Sequence, residues 1–158
     1  MKETTLCYIE DETRKKYLML HRNKKKNDEN EDKWIGVGGK LERGETPEEC
    51  LLREVTEETG LTLTEYRYRG VVDFSSDCWG EERMHLFTAA SFIGKLRDDC
   101  EEGELVWLDK TALAGKKLWE GDKLFLSLLE ADADFFKLTL VYHGEKLIEA
   151  SLNGEKVF

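Results

Sequence analysis

Long apolar runs and clustered cysteines are missing from this 158-residue sequence. No stretch of about eighteen apolar residues is found, and residues 1–10 lack the basic and then apolar pattern of a secretory signal. The cysteines form no C-x-x-C pair and have no histidine at zinc-site spacing, which predicts unpaired thiols in a reducing compartment. They are Cys7, Cys50, Cys78 and Cys100. We therefore expect a soluble, cytoplasmic protein with no membrane partner.

The chain also has few basic residues relative to acidic ones: 24 Lys and Arg against 34 Asp and Glu, for a net charge of −10. Binding of duplex nucleic acid needs clustered basic side chains, so the composition excludes that class of protein. An acidic protein that handles phosphates must use local basic residues or metal ions instead. Hydrophobic residues make up 40% of the chain, enough for a single domain over residues 1–158, and we expect a monomer.

Proline is nearly absent, and the one proline marks the start of a helix. Thr46 can cap that helix, Pro47 suits its first position, and Glu49 completes a capping box. Gly60 can take the left-handed conformation that ends a helix. The sequence therefore predicts a helix over residues 47–59.

Most of the remaining chain is predicted to form strands. A second helix is expected over residues 122–131, with Leu124, Phe125, Leu128 and Leu129 on its buried face. Residues 22–33 contain no apolar side chain and predict a solvated loop, whose basic first half could also contact phosphates. Residues 34–37 predict a strand end that leads into a glycine pair. Strands are predicted at residues 4–9, 16–21, 66–74, 85–92, 105–108, 136–142 and 146–152, and the mixture predicts an α+β sandwich.

Three glutamates share one face of the first predicted helix. At 100° per residue, Glu54, Glu57 and Glu58 fall within an arc of about 100°. Like charges on one helix face are destabilising, and no lysine partners stand four residues on. A hard divalent cation would offset them, since Mg²⁺ prefers carboxylate and water oxygens. The alternative is a solvated acidic face.

The spacing around these glutamates resembles a known signature. Gly39, five residues, Glu45, seven residues and then the run Arg53-Glu54-Val55-Thr56-Glu57-Glu58-Thr59-Gly60-Leu61 match every fixed position of the Nudix hydrolase (MutT family) box. The resemblance implies the Nudix fold, an α/β/α sandwich with a mixed sheet. It also implies hydrolysis of a nucleoside diphosphate derivative with Mg²⁺, for which Mn²⁺ could substitute.

The resemblance also implies roles for single residues. The Gly39 carbonyl and the carboxylates of Glu54, Glu57 and Glu58 would hold the metal, while Glu45 and Arg53 would form a supporting ion pair. A general base would come from the helix or from a later acidic loop, residues 98–104, in which Glu102 is the best match; the alternative is a solvated turn. Arg22 and Lys40 are the candidates for phosphate binding, and Arg22 could equally be surface.

Features beyond the box are similar to MutT-like enzymes that remove oxidised purine nucleotides such as 8-oxo-dGTP. These features are Trp34, Trp107, residues 118–122 and the terminal hairpin. Trp119 would then stack on the base and Asp122 would hydrogen bond its edge; alternatively, Trp119 belongs to the core and Asp122 caps the second helix.

Two departures bear on the substrate. The chain has Ile35 where the animal enzymes have Asn, and Gly121 before Asp122 where they have two acidic residues. Other substrates, such as a dinucleoside polyphosphate or a nucleotide sugar, therefore stay open. A non-catalytic nucleotide sensor is a further alternative, but such a protein would be expected to lose box glutamates, and all of them are present.

Overall fold

The first strand, β1 (Lys2–Glu10), is buried on both faces and organises the sheet. Its side chains alternate between two hydrophobic clusters: Leu6 and Tyr8 belong to one, and Cys7 and Ile9 to the other. A strand covered on both faces must lie between two layers. This computed structural model describes residues 1–24 and 29–158.

The described residues form one mixed sheet of ten strands. Its order is β10-β9-β8-β5-β6-β1-β2-β3, with β4 paired to β1 and β7 paired to β2. The pairs β1·β6 and β5·β8 are parallel, and the other pairs are antiparallel. The elements after β1 are β2 (Lys16–His21), β3 (Trp34–Ile35), β4 (Val37–Lys40), α1 (Pro47–Thr59), β5 (Leu61–Ser76), β6 (Gly80–Gly94), β7 (Glu104–Asp109), a 3-10 turn (Lys110–Gly115), α2 (Glu120–Glu130), β8 (Phe136–His143), β9 (Lys146–Leu152) and β10 (Glu155–Lys156).

The two helices cover opposite faces of this sheet. Leu51 and Val55 of α1 pack in the cluster that contains Cys7 and Ile9. Phe125 of α2 packs in the other cluster, with its ring centroid 5.9 Å from that of Tyr8. The expected α/β/α sandwich with a mixed sheet is confirmed.

Helix α1 has the predicted bounds and caps. The Thr46 hydroxyl accepts from the Glu49 amide at 3.2 Å, and the Glu49 carboxylate accepts from the Thr46 amide at 3.1 Å. Gly60 has φ 80°, and its amide donates to the Thr56 carbonyl. The helix that carries the candidate glutamates therefore begins and ends where local hydrogen bonding requires.

Other boundaries differ from the predicted ones. The strands predicted at residues 66–74 and 85–92 extend to Leu61–Ser76 and Gly80–Gly94, because β5 continues past bulges near Glu65 and Gly70. Helix α2 begins at Glu120, so the alternative in which Asp122 caps it is wrong. Leu124 and Leu128 are only half-buried.

The predicted loop over residues 22–33 is only partly confirmed. Residues 25–28 of the predicted loop lie outside the described residues. Lys33, at its end, is buried, so the expectation of a wholly solvated loop is wrong. All four cysteines are free thiols. Within the described ranges, no helix is long and apolar enough to span a membrane.

Candidate active site

Strand β4 and helix α1 meet at a glycine pair. A Cβ atom on Gly38 would lie 1.9 Å from the Thr5 carbonyl oxygen, and one on Gly39 would lie 2.4 Å from the carboxyl carbon of Glu54. Residue 38 therefore requires glycine, whereas a side chain at residue 39 would displace the Glu54 carboxylate. The Glu54 carboxylate is packed directly against the backbone of Gly39, whose carbonyl the Cys50 thiol reaches at 3.6 Å.

Arg53 joins this loop to the helix. Its Nε and Nη2 groups donate to the two carboxylate oxygens of Glu45 at 2.7 and 2.8 Å, so the expected ion pair is present in bidentate form. Its Nη1 group donates to Glu54 at 2.8 Å and to Glu57 at 3.2 Å, and Nη2 donates to the Lys40 carbonyl at 3.1 Å. Hydrogen bonds from Arg53 lower the pKa of Glu45 to about 2.

The carboxylates of Glu54, Glu58 and Glu102 influence one another electrostatically, and that of Glu54 lies against Gly39. Burial first, and then the charges of Glu102 and Glu54, raise the pKa of Glu58 to about 9. Burial likewise raises the pKa of Glu54, although Arg53 opposes the shift. Within the described part of the chain, the buried Oε2 atom of Glu58 has no hydrogen-bond partner. Arg53 pairs with Glu54 and Arg22 lies beside Glu102, but burial and the neighbouring carboxylates still oppose ionisation of Glu58.

These residues fit a hard divalent cation. A buried carboxylate oxygen of Glu58 lacks a partner, the Glu54 carboxylate lies against the Gly39 backbone, and every candidate donor is oxygen, as Mg²⁺ prefers. Among residues 1–24 and 29–158, however, no three His, Cys, Asp or Glu side chains stand at ready-made ligand spacing. Glu57 lies outside this acidic cluster of Glu54, Glu58 and Glu102, since its side chain is 59% exposed and rests on Arg53. A metal would therefore have to draw the carboxylates together.

Two basic residues stand at this end of the site. The Nη1 group of Arg22 lies 3.4 Å from the Glu102 carboxylate, and Arg22 lines a cleft together with Gly39 and Lys40. The charge of Arg22 opposes the rise in the pKa of Glu58. The structure thus brings both sequence-predicted phosphate ligands to the acidic cluster.

The cleft has a volume of about 370 Å³ and extends to Trp119 and Asp122. The indole Nε1 of Trp119 donates to the Asn30 side chain at 2.8 Å, and its ring contacts Tyr142 edge-on at 5.1 Å. Trp119 is half-buried against a core cluster and also lines the cleft. Its surroundings therefore agree in part with a core residue and in part with a base-stacking residue. Ile35 contributes an apolar patch to the same wall.

Asp122 is buried in the first turn of α2. Burial raises the pKa of its carboxyl to about 8, the charge of Lys33 opposes this rise, and Glu82 reinforces it. Below that pH the group is neutral and can both donate and accept a hydrogen bond. This end of the cleft can therefore recognise the polar edge of a ring.

Several cleft residues have no signal in the sequence. Glu82 is buried, accepts from the Thr4 hydroxyl at 2.7 Å and pairs with Lys2 at 3.1 Å. Trp79, at the tip of the β5–β6 hairpin, also lines the cleft, and no local sequence pattern predicts this position. Trp34, by contrast, stacks on His21 at 4.3 Å and is not among the cleft-lining residues.

Comparisons with known proteins agree with this geometry. The NUDIX domain profile matches residues 2–129. Nudix hydrolase YvcI of Bacillus subtilis, described as uncharacterised, is 29% identical over 116 residues, which are 71% of this chain and 73% of that protein. An oxidised purine nucleoside triphosphate hydrolase of Danio rerio is 32% identical over 100 residues, 61% of this chain and 62% of its own length. The crystal structure of a mutator MutT protein from Bacillus halodurans superposes with a TM-score of 0.84 at 25% identity and covers 98% of this chain and 99% of that one.

Proposed function

The chain belongs to the NUDIX domain family, and on that premise we propose that it is a Mg²⁺-dependent pyrophosphohydrolase of oxidised purine nucleoside triphosphates. Its reaction would convert 8-oxo-dGTP to 8-oxo-dGMP and pyrophosphate and so remove damaged nucleotides from the pool. Nudix hydrolases generally use divalent metal ions, and the all-oxygen donor set here favours Mg²⁺, with Mn²⁺ as a substitute.

One observation carries the proposal: a single cleft joins the acidic cluster to the Trp119 end. A nucleoside triphosphate has the same polarity, with phosphates at one end and a flat base at the other. Arg22 and Lys40 stand beside the acidic cluster, where the phosphates would lie. The relative named as an oxidised purine nucleoside triphosphate hydrolase supports the same substrate class.

At the phosphate end, Gly39, Glu54, Glu57, Glu58 and Glu102 would hold the metal. Once bound, the ion neutralises phosphate charge and lowers the pKa of the attacking water. Arg53 fixes Glu45 and Glu54 so that the loop and the helix keep one arrangement. A glutamate of this set accepts the proton from the water, and no covalent nucleophile is required.

At the base end, Trp119 offers a stacking surface and Asp122 a neutral carboxyl. Oxidation at C8 turns N7 of guanine from an acceptor into an N–H donor. A backbone carbonyl within residues 34–37, or the Asp122 carboxylate once it ionises above about pH 8, can accept from that N–H but cannot pair with the N7 acceptor of the normal base. This asymmetry is worth about 1–3 kcal/mol, or roughly 10- to 100-fold in preference.

The proposal extends to the setting of the reaction. The net charge of −10 favours free nucleotides over duplex nucleic acid as substrates. We propose a cytoplasmic monomer that acts on the nucleotide pool.

A nucleotide panel tests the proposal. Release of pyrophosphate and of phosphate is measured for 8-oxo-dGTP, dGTP, a dinucleoside polyphosphate and a nucleotide sugar, with Mg²⁺ present and absent. The expected result is Mg²⁺-dependent pyrophosphate release with kcat/KM at least about 10-fold higher for 8-oxo-dGTP than for dGTP. Equal values for those two nucleotides would sink the oxidised-base assignment, and a preference for another member of the panel would replace it.

A further inference from the structure

Lys33 is a buried cation that the proposed reaction does not use. Its side chain is only 3% exposed, and its ammonium lies 4.2 Å from the centroid of the Trp119 ring. Trp119 lines the cleft, whereas Lys33 does not. The ammonium therefore contacts the ring from outside the set of residues that line the cleft.

Two acceptors hold Lys33 in place. Its Nζ donates to the Glu145 carboxylate at 2.6 Å and to the Glu29 carbonyl at 3.2 Å. Glu145 lies in the turn between β8 and β9, and its side chain is 63% exposed. Burial of an ammonium is costly unless it is paired and hydrogen bonded, so these acceptors allow a charge to remain against the indole.

The same short segment also fixes the edge of the indole. Asn30 accepts from Trp119 Nε1 at 2.8 Å, and the Lys33 amide donates to the Asn30 carbonyl at 2.9 Å. One side of the ring and its N–H edge are thus held by residues only three positions apart. The ring is oriented before any ligand enters the cleft.

A cation next to an indole also changes the electrostatics of stacking between that ring and another aromatic ring. Two stacked aromatic faces repel through their negative quadrupoles, and a positive charge on the far side of one ring reduces that repulsion. Preorganisation and polarisation of Trp119 act in the same direction, because both favour a stacked, electron-rich purine.

We propose that Lys33, anchored by Glu145, is a positioning residue that prepares Trp119 to bind the purine base. The inference rests on the proposed role of Trp119 in base binding. It predicts that nucleotide affinity depends on a side chain that does not touch the nucleotide.

Binding of 8-oxo-dGMP and dGMP in metal-free buffer, measured by calorimetry, isolates the base from the chemistry at the phosphates. Lys33→Met keeps the aliphatic stem and removes the charge, and we expect its Kd for both nucleotides to rise about 10-fold. Lys33→Arg restores the charge and should bind within about 3-fold of the unmodified protein. With 8-oxo-dGTP and Mg²⁺, Lys33→Met should raise KM by a similar factor and change kcat less than about 2-fold.

Lys116→Met is the matched control, because the Lys116 ammonium lies 4.9 Å from the ring of Trp34, which is outside the cleft-lining set. Nucleotide binding by Lys116→Met should be unchanged.

Glu145→Gln leaves Lys33 in place and alters only its exposed partner, so it keeps the inference testable if Lys33→Met does not fold. We expect it to weaken binding about 3-fold.

The two proposals can fail separately. Unchanged binding by Lys33→Met, together with lost binding by Trp119→Ala, overturns the role of Lys33 and leaves the function standing. Equal losses in kcat and in affinity indicate general structural damage and also overturn it. If the unmodified protein releases pyrophosphate from no nucleotide, the function fails while the binding series still decides the role of Lys33. If the unmodified protein binds neither monophosphate, the inference fails.

Discussion

At the scale of single residues, Glu57 is the sharpest test of the metal assignment. Its carboxylate rests on Arg53 at the rim of the acidic cluster, so metal binding requires it to turn inward. Glu57→Gln preserves shape and removes one charge, and we expect turnover to fall by about 10² to 10³. Rates measured under saturating Mg²⁺ should show this loss, while the exposed Glu48→Gln on the same helix should not. Near-normal turnover would show that Glu57 is not a ligand.

Glu102 lies on a different element from the other carboxylates and can be tested independently. If it binds a catalytic metal or the attacking water, Glu102→Gln should lower kcat more than it raises KM. The neighbouring Glu101→Gln alters an exposed side chain and should leave both constants unchanged. A kcat equal to that of the unmodified protein at every pH would show that Glu102 has no catalytic role and belongs to a solvated acidic turn.

Asp122 should make stability depend on pH. Its pKa is about 8 in the fold and about 4 in the unfolded chain, so the folded state keeps a proton that the unfolded state loses. This contribution is fully present below about pH 4 and is lost as pH rises through about 8, by up to about 1.4 kcal/mol per pH unit. Asp122→Asn removes it, so denaturant unfolding between pH 5 and 9 should show a flatter decline for the variant. Parallel pH profiles would place the carboxyl in a more hydrated environment than the structure gives it.

At the scale of elements, the caps of α1 set the position of the glutamates. Thr46→Ala removes the acceptor for the Glu49 amide and should lower the free energy of unfolding by about 1 kcal/mol. Thr46→Ser keeps the acceptor and should restore most of that loss. Chemical denaturation at constant pH measures both, and a Thr46→Ala variant as stable as the Ser variant would show that the capping hydrogen bond contributes nothing measurable.

The sequence predicted α1 better than any other element, because its start and end depend on local hydrogen bonds between residues a few positions apart. Helix α2 was placed two residues late, since Asp122 has the side chain of a good cap whereas the residue at the cap position is Trp119. The ends of β5 were missed because bulges let pairing continue where the alternating pattern breaks.

The candidate site likewise contains residues that local sequence predicts and residues that only distant contacts determine. The residues of the Nudix box lie within one turn-and-helix unit, so their spacing was informative. Lys33 and Glu82 acquire their surroundings from contacts with residues 112 and 78 positions away, such as Glu145 and Thr4, and no local pattern could predict their burial.

At the scale of the whole molecule, the acidic cluster adds to an already negative chain, so a divalent cation should stabilise the fold. Mg²⁺ at about 100 times its Kd would contribute about 2.7 kcal/mol, equivalent to roughly 5–10 °C in Tm. Thermal melts with Mg²⁺ and then with a chelator measure this shift, with NaCl at equal ionic strength as the control. In the metal-free protein Glu58→Gln should melt higher and respond less to Mg²⁺. An equal response from NaCl would mean that general screening accounts for the effect.

The parallel pairing of β1 with β6 also has a consequence for how the chain folds as it is synthesised. Residues Lys2 to Ile9 pair with Glu82 to Ala89, so β1 must wait for a partner made some eighty residues later. At about 5–20 residues per second, translation leaves that apolar strand without its partner for roughly 4–16 s. Such a delay is long compared with hydrophobic collapse, which takes microseconds. Strand β1 should therefore be open to aggregation and to capture by chaperones while β6 is still being made.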